Sequence, residues 1–162
     1  MLDAPPGYHG YAMATDGSIA AWGYDVHGQI SDTPTGTGFT AIVSGFEHGY
    51  ALAADGSIHA WGHDLYNQIS NTPTGTGFTA IAAGSYHGYA LAADGSIAAW
   101  GFNDSGQVAS APTGAGFTAI AGGGYHGYAL TASIPEPSAL LLAGMGLVGL
   151  GFVVKRKKYR PA

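Results

Sequence analysis

A repeat of 39 residues is the feature that most constrains what this chain can fold into. The run HGYALAADGSI begins at His87, close copies begin at His9 and His48, and a shortened copy begins at His126. Trp-Gly pairs and Phe-Thr-Ala-Ile runs recur at the same spacing. A fixed period of this length is typical of repeat arrays and propellers, in which stacked units build the core together.

Each repeat has the pattern of short β-strands. Short segments with a two-residue alternation stand on both sides of an Asp-Gly pair, at Asp16-Gly17, Asp55-Gly56 and Asp94-Gly95. This arrangement is typical of a β-hairpin. A polar loop, a Gln-Ile or Gln-Val pair, a Pro-Thr-Gly turn and the Phe-Thr-Ala-Ile run follow. We therefore predict an all-β fold, a propeller-like array of about three four-stranded blades in an incomplete ring. A β-solenoid is the alternative.

Composition excludes several function classes. Cysteine is absent, which rules out disulfides and cysteine metal sites. The body of the chain carries acidic residues but no Lys or Arg, a composition that disfavours binding to phosphate backbones. We therefore expect no nucleic-acid partner. All basic residues lie near the end of the chain, where we expect them to orient a membrane segment: Lys155, Arg156, Lys157, Lys158 and Arg160.

An apolar run of 16 residues, 139–154, precedes that basic cluster. As a helix it would be about 24 Å long, enough for a slightly thinned bilayer. The basic cluster should remain cytoplasmic, with the repeats on the opposite side. We divide the chain into an N-terminal segment (1–6), the repeats (7–132), a Pro-containing linker (133–138), a single C-terminal transmembrane helix (139–154) and a basic cytoplasmic tail (155–162).

The repeat resembles a known family. The pattern H-x-x-A-L-x-x-D-G-x-I-x-A-W-G, followed by Gln-Ile or Gln-Val, is similar to the repeat of the regulator of chromosome condensation family, including its secreted bacterial branch. Complete members of that family resemble seven-bladed propellers, which three full periods cannot close. The resemblance implies a fragment, an open array, or several chains that complete one ring. Residues 1–6 contain no basic segment followed by an apolar run, the pattern of a signal peptide. If the chain is exported, we therefore expect its true start to lie upstream of Met1.

The tail resembles a sorting signal. Pro135, Glu136 and Pro137, the hydrophobic run and the basic end together look like the PEP-CTERM signal of Gram-negative bacteria. The resemblance implies export, an exosortase-type membrane protease as partner, transient residence in the inner membrane, and a final location at the cell surface or in the extracellular matrix. Two prolines keep the approach to the helix extended, as a protease substrate requires. An ordinary single-pass anchor is the alternative.

The histidines and acids of the repeat have structural explanations. His9, His48, His87 and His126 occupy equivalent places on different blades, so we expect packing or a hydrogen bond to the neighbouring strand. His59 and His63 lie four residues apart across a strand end, where that spacing gives no ligand geometry. The Asp-Gly pairs serve turns, and no catalytic set is discernible. We predict no metal, no cofactor and no enzymatic activity.

The positions at which the repeats differ are the candidates for binding. One set follows each Trp-Gly, and a second set, at 46–47, 85–86 and 124–125, precedes each repeated histidine. Variable loops on one rim of a repeat protein commonly form its recognition surface, with drift without function as the alternative. We predict a non-enzymatic protein that binds a protein or polysaccharide. The alternatives are a secreted enzyme inhibitor, a propeller hydrolase or lyase, and an intracellular regulator. The predicted ligand-binding residues are Tyr24, Asp25, His27, His63, Asp64, Tyr66, Phe102, Asn103 and Asp104.

Overall fold

The computed structural model describes residues 9–132, which form four small antiparallel sheets. The strands are β1 His9–Met13, β2 Ile19–Gly23, β3 Phe39–Ser44, β4 His48–Ala53, β5 Ile58–Gly62, β6 Phe78–Ala83, β7 His87–Ala92, β8 Ile97–Gly101, β9 Phe117–Gly122 and β10 Gly127–Thr131. The first sheet is the hairpin of β1 and β2, and the last pairs β9 with β10. The other two sheets have three strands each, in the orders β3-β4-β5 and β6-β7-β8.

The prediction of four strands in each blade is wrong for the complete sheets of residues 9–132, which have three. The Gln-Ile and Gln-Val segments lie in turns. In the first unit the Asp25 carboxylate accepts hydrogen bonds from the backbone N–H groups of Ile30 (2.8 Å) and Ser31 (3.0 Å). Asp64 and Asn103 do the same in the following units. Backbone donors held in this way are not available to the ladder of a fourth strand.

The Asp-Gly hairpin turns are confirmed, and the two residues of each pair have different tasks in the turn. Glycine alone takes the left-handed conformation, with φ of 80° at Gly17 and 82° at Gly56. The aspartate instead accepts hydrogen bonds within the turn. Asp55 Oδ1 receives the Ser57 N–H at 2.9 Å and the Ser57 hydroxyl at 2.7 Å. These bonds favour the charged carboxylate and hold the pKa of Asp55 below its usual value.

The sheets are joined by a recurring set of three residues that we call a clasp. In the first clasp, Trp61 Nε1 donates to the Tyr11 hydroxyl (2.9 Å) and to the Gln29 carbonyl (3.0 Å), and the Tyr11 hydroxyl donates to the same carbonyl (2.8 Å). The second clasp, Tyr50, Gln68 and Trp100, repeats these bonds one unit later. Each clasp therefore ties one sheet and its loop to the tryptophan of the next sheet.

The hydrophobic core lies between neighbouring sheets. Around the second clasp, Tyr50 and Trp100 pack with Leu52, Ile81 and Ala90 in one buried cluster. A Cβ atom added at Gly88 would lie 2.5 Å from the Trp100 ring and 2.8 Å from the Tyr50 ring. The repeated His-Gly-Tyr sequence thus needs glycine, because the tryptophan ring lies directly on the strand.

Equivalent residues of successive units also bond to each other. Phe46 N–H donates to the Ser85 carbonyl at 3.1 Å, and Ser85 N–H donates to the Gly124 carbonyl at 3.1 Å. These three residues occupy the same place in consecutive repeats, so one unit is related to the next by a constant step. This is the propagation expected of propeller-type blades.

No helix within residues 9–132 has the length and apolar character needed to cross a bilayer. The predicted N-terminal segment (1–6), the linker with Pro135, Glu136 and Pro137, the transmembrane helix (139–154) and the basic tail (155–162) lie outside the described residues.

Candidate functional site

The two sets of variable loops lie against each other at one end of the sheets. His63 N–H donates to the Glu47 carbonyl at 2.8 Å, and Phe102 N–H donates to the Tyr86 carbonyl at 2.9 Å. The loop after a Trp-Gly is thereby tied to the loop that precedes the repeated histidine. We call this end of the array the rim. It presents a different cluster of side chains at each of two successive junctions between blades.

The rim of the first junction carries the first-junction cluster, which consists of His27, Glu47 and His63. One ligand-type atom from each side chain lies within 4.8 Å of the other two. The two imidazole rings have centroids 4.4 Å apart, and His63 Nδ1 lies 3.6 Å from Glu47 Oε2. His27 is exposed, His63 is half-buried and Glu47 is buried. This is the group in residues 9–132 whose donor atoms have the spacing of metal ligands.

The rim of the second junction carries the aromatic cluster, built on Tyr66, Tyr86 and Phe102. Their ring centroids lie 4.7 to 6.3 Å apart in edge-to-face contacts. Phe46 and Tyr125 extend the cluster on its two sides, through contacts with Tyr86 at 5.6 Å and with Phe102 at 6.1 Å. The three central residues lie one period beyond His27, Glu47 and His63, so the two clusters occupy equivalent places.

The structure brings some predicted binding residues together and gives others a local task. His27 and His63 meet in the first-junction cluster, and Tyr66 and Phe102 meet in the aromatic cluster. Asp25, Asp64 and Asn103 use their side-chain oxygens to hold backbone N–H groups of their own loops. Hydrogen bonds from the Ser31 and Ile30 N–H groups keep the pKa of Asp25 below its usual value. Tyr24 is half-buried and Asp104 is exposed at a loop tip.

Glu47 belongs to the second variable set, and its contact with His27 and His63 is not among the sequence-based predictions. The chain separations between these residues carry no local signal of a site. Writing the three loops in register would have shown that the three residues belong to one junction, provided that the loops were known to meet at one end.

Two of the four repeated histidines pack in the interior, whereas His9 is half-buried and His126 is exposed. His48 and His87 are fully buried, with their rings against Tyr50 and Tyr89 at 4.8 Å and 5.0 Å. Burial lowers the pKa of the His48 imidazole to about 3, and the nearby His9, His87 and His63 disfavour its protonation further. His48 is therefore neutral at physiological pH. His48 is not part of the first-junction cluster.

A cavity of about 220 Å³ lies beside Tyr89 and Gln107. The Tyr89 hydroxyl donates to the Gln107 carbonyl at 2.7 Å, as the tyrosine does in both clasps. In the first two units this seat receives Trp61 and Trp100, whereas the corresponding position in the third unit is Ala139, outside the described residues. The cavity therefore lies where the tryptophan ring of a following unit would pack.

The regulator of chromosome condensation (RCC1) repeat matches this chain at residues 39–68 and 78–107, the stretches that hold β3 to β5 and β6 to β8 with their loops. The chain carries RCC1 repeats. The PEP-CTERM protein-sorting motif matches residues 133–157. Both resemblances drawn from the sequence are thereby confirmed. The motif indicates export and cell-surface sorting in bacteria, with processing by an exosortase.

Solved structures support the same fold. The RCC1 repeats of this chain superpose on yeast Prp20p with a TM-score of 0.60 at 19% identity, covering 85% of this chain and 44% of that one. Human WBSCR16 gives 0.63 at 17% identity, with 78% and 43% covered. The ectodomain of the Physcomitrella patens receptor kinase CR4 gives 0.61 at 20% identity, with 78% and 37% covered.

The chain spans about two fifths of the length of these structures. A sequence comparison with curated proteins gives no match. The likeness to the solved structures establishes propeller-type blades with small antiparallel sheets.

Proposed function

We propose that this chain is an exported, surface-sorted protein without enzymatic activity that binds a protein partner through the aromatic cluster. The observation that carries this proposal is the continuous contact of five aromatic side chains, contributed by five different loops, on the rim. Tyr and Phe are enriched at the centres of protein interfaces, where a few aromatic side chains dominate the binding free energy.

The ring orientations favour a protein over a polysaccharide. The contacts within the aromatic cluster have interplanar angles of 63° to 69°. The rings therefore present a relief of edges and faces instead of a flat row. Protein side chains can interdigitate with such a relief, whereas a sugar ring stacks the C–H groups of one of its faces on an open aromatic face.

The charge around the cluster indicates what kind of protein would fit. Exposed Asp64 and Asp104 lie in the same loops as Tyr66 and Phe102, and residues 9–132 contain no Lys or Arg. A partner with an apolar knob surrounded by basic residues is complementary to this surface. Charges on an interface rim chiefly accelerate association, so salt should slow the binding.

The carboxylates of the repeats support a role other than acid–base catalysis. A general acid needs a raised pKa at neutral pH. Instead, hydrogen bonds from the backbone N–H groups of Ser18 and Ser31 hold the pKa values of Asp16 and Asp25 below their usual range. These groups are ionised and are engaged with their own turns.

The sorting motif supports the route that we propose for the chain. The chain would pass through the inner membrane of a Gram-negative bacterium. The exosortase would cut it near Pro135, Glu136 and Pro137, and the repeats would then remain at the surface or in the matrix. A protein partner is compatible with the fold, since yeast Prp20 has been described with Kap60 bound.

The experiment starts from the chain in the surface fraction of its host, where mass spectrometry should place its C-terminus near residues 135–138. Full-length chain is then used to capture exported proteins of the host, and the captured partner is purified so that its Kd can be measured. The double variant Tyr86→Ser and Phe102→Ser should weaken binding by about 30-fold or more. The matched control is Tyr128→Ser, which changes an exposed tyrosine outside the cluster.

Equal Kd values for the wild type and the double variant would contradict the assignment of the aromatic cluster. Capture that is abolished by glycosidase treatment of the host material, and retained after protease treatment, would replace the protein partner with a polysaccharide. Surface material that still contains Ala162 would contradict the proposed processing.

A further inference from the structure

We propose that His27, Glu47 and His63 form a binding site for one divalent metal ion of the zinc class. The site is independent of the aromatic cluster, since it lies at the other junction and uses none of its residues. Two imidazoles and one carboxylate are a donor set that zinc accepts, with a fourth position left for water or another ligand.

The spacing of the donor atoms is close to that of a tetrahedral zinc site. Bonds of about 2.0–2.1 Å in tetrahedral geometry place ligand atoms about 3.4 Å apart. His63 Nδ1 and Glu47 Oε2 are 3.6 Å apart, and all three side chains offer a donor atom within 4.8 Å of the others. The remaining distance would have to be closed by rotation of the His27 side chain, which is exposed.

The charge of the surroundings favours a cation at this place. Glu47 is only 8% exposed, and a buried carboxylate is unfavourable unless a positive charge or several donors compensate it. Residues 9–132 contain eight acidic residues and no Lys or Arg, so histidines are the sole side chains there that can become positive. A divalent metal ion would place a compensating positive charge beside the Glu47 carboxylate.

The backbone holds all three residues in place before any ion binds. His63 N–H donates to the Glu47 carbonyl at 2.8 Å, and His27 N–H donates to the side-chain oxygen of Gln29 at 2.9 Å. Buried Gln68 also lies beside His63, with its Nε2 atom 3.5 Å from the ring Nδ1, and a metal ion bound at Nδ1 would displace this amide contact. The two hydrogen bonds of the main-chain N–H groups fix the loops that carry the three side chains.

The repeats provide an internal comparison. Three rim positions recur along the chain, and ten residues occupy them in total. Only the three residues that meet at the first junction are His or Glu. At the other copies of these positions stand Tyr8, Tyr24, Tyr66, Tyr86, Phe102, Ser105 and Tyr125. The ligating residue types therefore occur together at one junction.

Nitrogen-rich sites of this kind suit Zn²⁺ and its neighbours in the first transition series, whereas Ca²⁺ and Mg²⁺ need oxygen ligands. The exposed side of His27 leaves the ion accessible from solvent. A bound ion could thus accept a fourth ligand from water or from a molecule that approaches the rim.

The test is calorimetric titration of the full chain with ZnCl₂ at neutral pH, with MgCl₂ as the comparison ion. We expect one Zn²⁺ per chain and no measurable Mg²⁺ binding. Glu47→Gln and His63→Ala should each weaken Zn²⁺ binding by about 100-fold or more, since changes outside the ligand shell alone cost about 10–100-fold. The matched control is His126→Ala, which removes an exposed histidine outside the cluster and should leave the affinity unchanged.

A second readout reports the coordination geometry, and its loss in a variant assigns a ligand. With Co²⁺ in place of Zn²⁺, the wild type should show the visible absorption of a tetrahedral cobalt site, and Glu47→Gln should lose it. Thermal unfolding with and without ZnCl₂ shows whether each variant is folded. Absence of Zn²⁺ binding by folded wild type would overturn the proposal. Binding that Glu47→Gln and His63→Ala leave unchanged would overturn it equally.

Discussion

The two blade junctions of this chain have the same interior and different rims. In the interior, Tyr11, Gln29 and Trp61 make the same three hydrogen bonds as their counterparts in the second clasp. On the rim, the first junction presents two imidazoles and a carboxylate, whereas the second presents three aromatic rings.

The difference teaches which part of a repeat is constrained by folding. A buried indole N–H needs an acceptor, and a buried hydroxyl needs a partner, so a clasp must change as a whole or not at all. Most rim side chains, unlike that of Glu47, have solvent beside them, and substitution on the rim leaves the hydrogen bonds of the clasp intact. The repeat therefore supplies a scaffold, and the rim supplies the chemistry that distinguishes one junction from the next.

The largest expected effect comes from breaking a clasp. Trp61→Ala and Trp100→Ala each remove a buried ring and leave the Gln carbonyl and Tyr hydroxyl short of a donor. Each should therefore lower the free energy of unfolding by about 3–5 kcal/mol. Because the clasps are equivalent, we expect the two losses to agree within about 1 kcal/mol. Urea unfolding of the full chain measures both.

Trp22→Ala is the matched control, because Trp22 has the same position in the repeat but is 56% exposed, against 4% for Trp61. Its loss should stay below about 1 kcal/mol. A loss at Trp22 as large as that at Trp100 would contradict the account of the clasps. A clear difference between Trp61 and Trp100 would show that the rims affect the interior.

A smaller effect is expected from pH, through the buried histidine below the first junction. The pKa of His48 is about 3 in the folded chain and near 6.5 in the unfolded chain. Between these values the unfolded chain binds the proton that the folded chain cannot, so stability rises with pH and falls on acidification. From pH 7.5 to pH 5, His48 alone should reduce the free energy of unfolding by about 2 kcal/mol.

His48→Gln should flatten this dependence, whatever its effect on stability at pH 7.5, because glutamine does not titrate. His126→Gln changes an exposed member of the same repeated position and should leave the slope as it is. Comparison of urea midpoints at pH 7.5 and pH 5 distinguishes the two variants. If His48→Gln left the pH dependence of the free energy of unfolding unchanged, the His48 side chain would have to be hydrated in the folded chain.

Much of the scaffold could be predicted from the repeat. Local patterns that recur in each unit predict the period, the Asp-Gly turns and the absence of long helices from residues 9–132. The number of strands could not be read in the same way. The Asp25 carboxylate limits the number of strands, because it accepts hydrogen bonds from the backbone N–H groups five and six residues ahead. The alternation of hydrophobic residues gives no sign of this contact.

The rim illustrates a different limit. The sequence pointed to the loops after each Trp-Gly, and four of the nine predicted binding residues lie in the two rim clusters: His27, His63, Tyr66 and Phe102. Glu47 and Tyr86 complete the clusters from the other set of loops. Their place depends on the packing of one blade against the next, which is a tertiary contact that no single repeat encodes.

The most direct measurement exchanges the rims. Transfer of the first-junction residues to the second junction, by Tyr66→His, Tyr86→Glu and Phe102→His, should raise the number of zinc ions per chain from one to two. The reverse exchange, His27→Tyr, Glu47→Tyr and His63→Phe, should lower that number to zero. Calorimetric stoichiometry on chains that retain cooperative thermal unfolding gives the answer. If the folded variants bind the same number of zinc ions as the wild type, rim chemistry is not set by these three positions and the account fails.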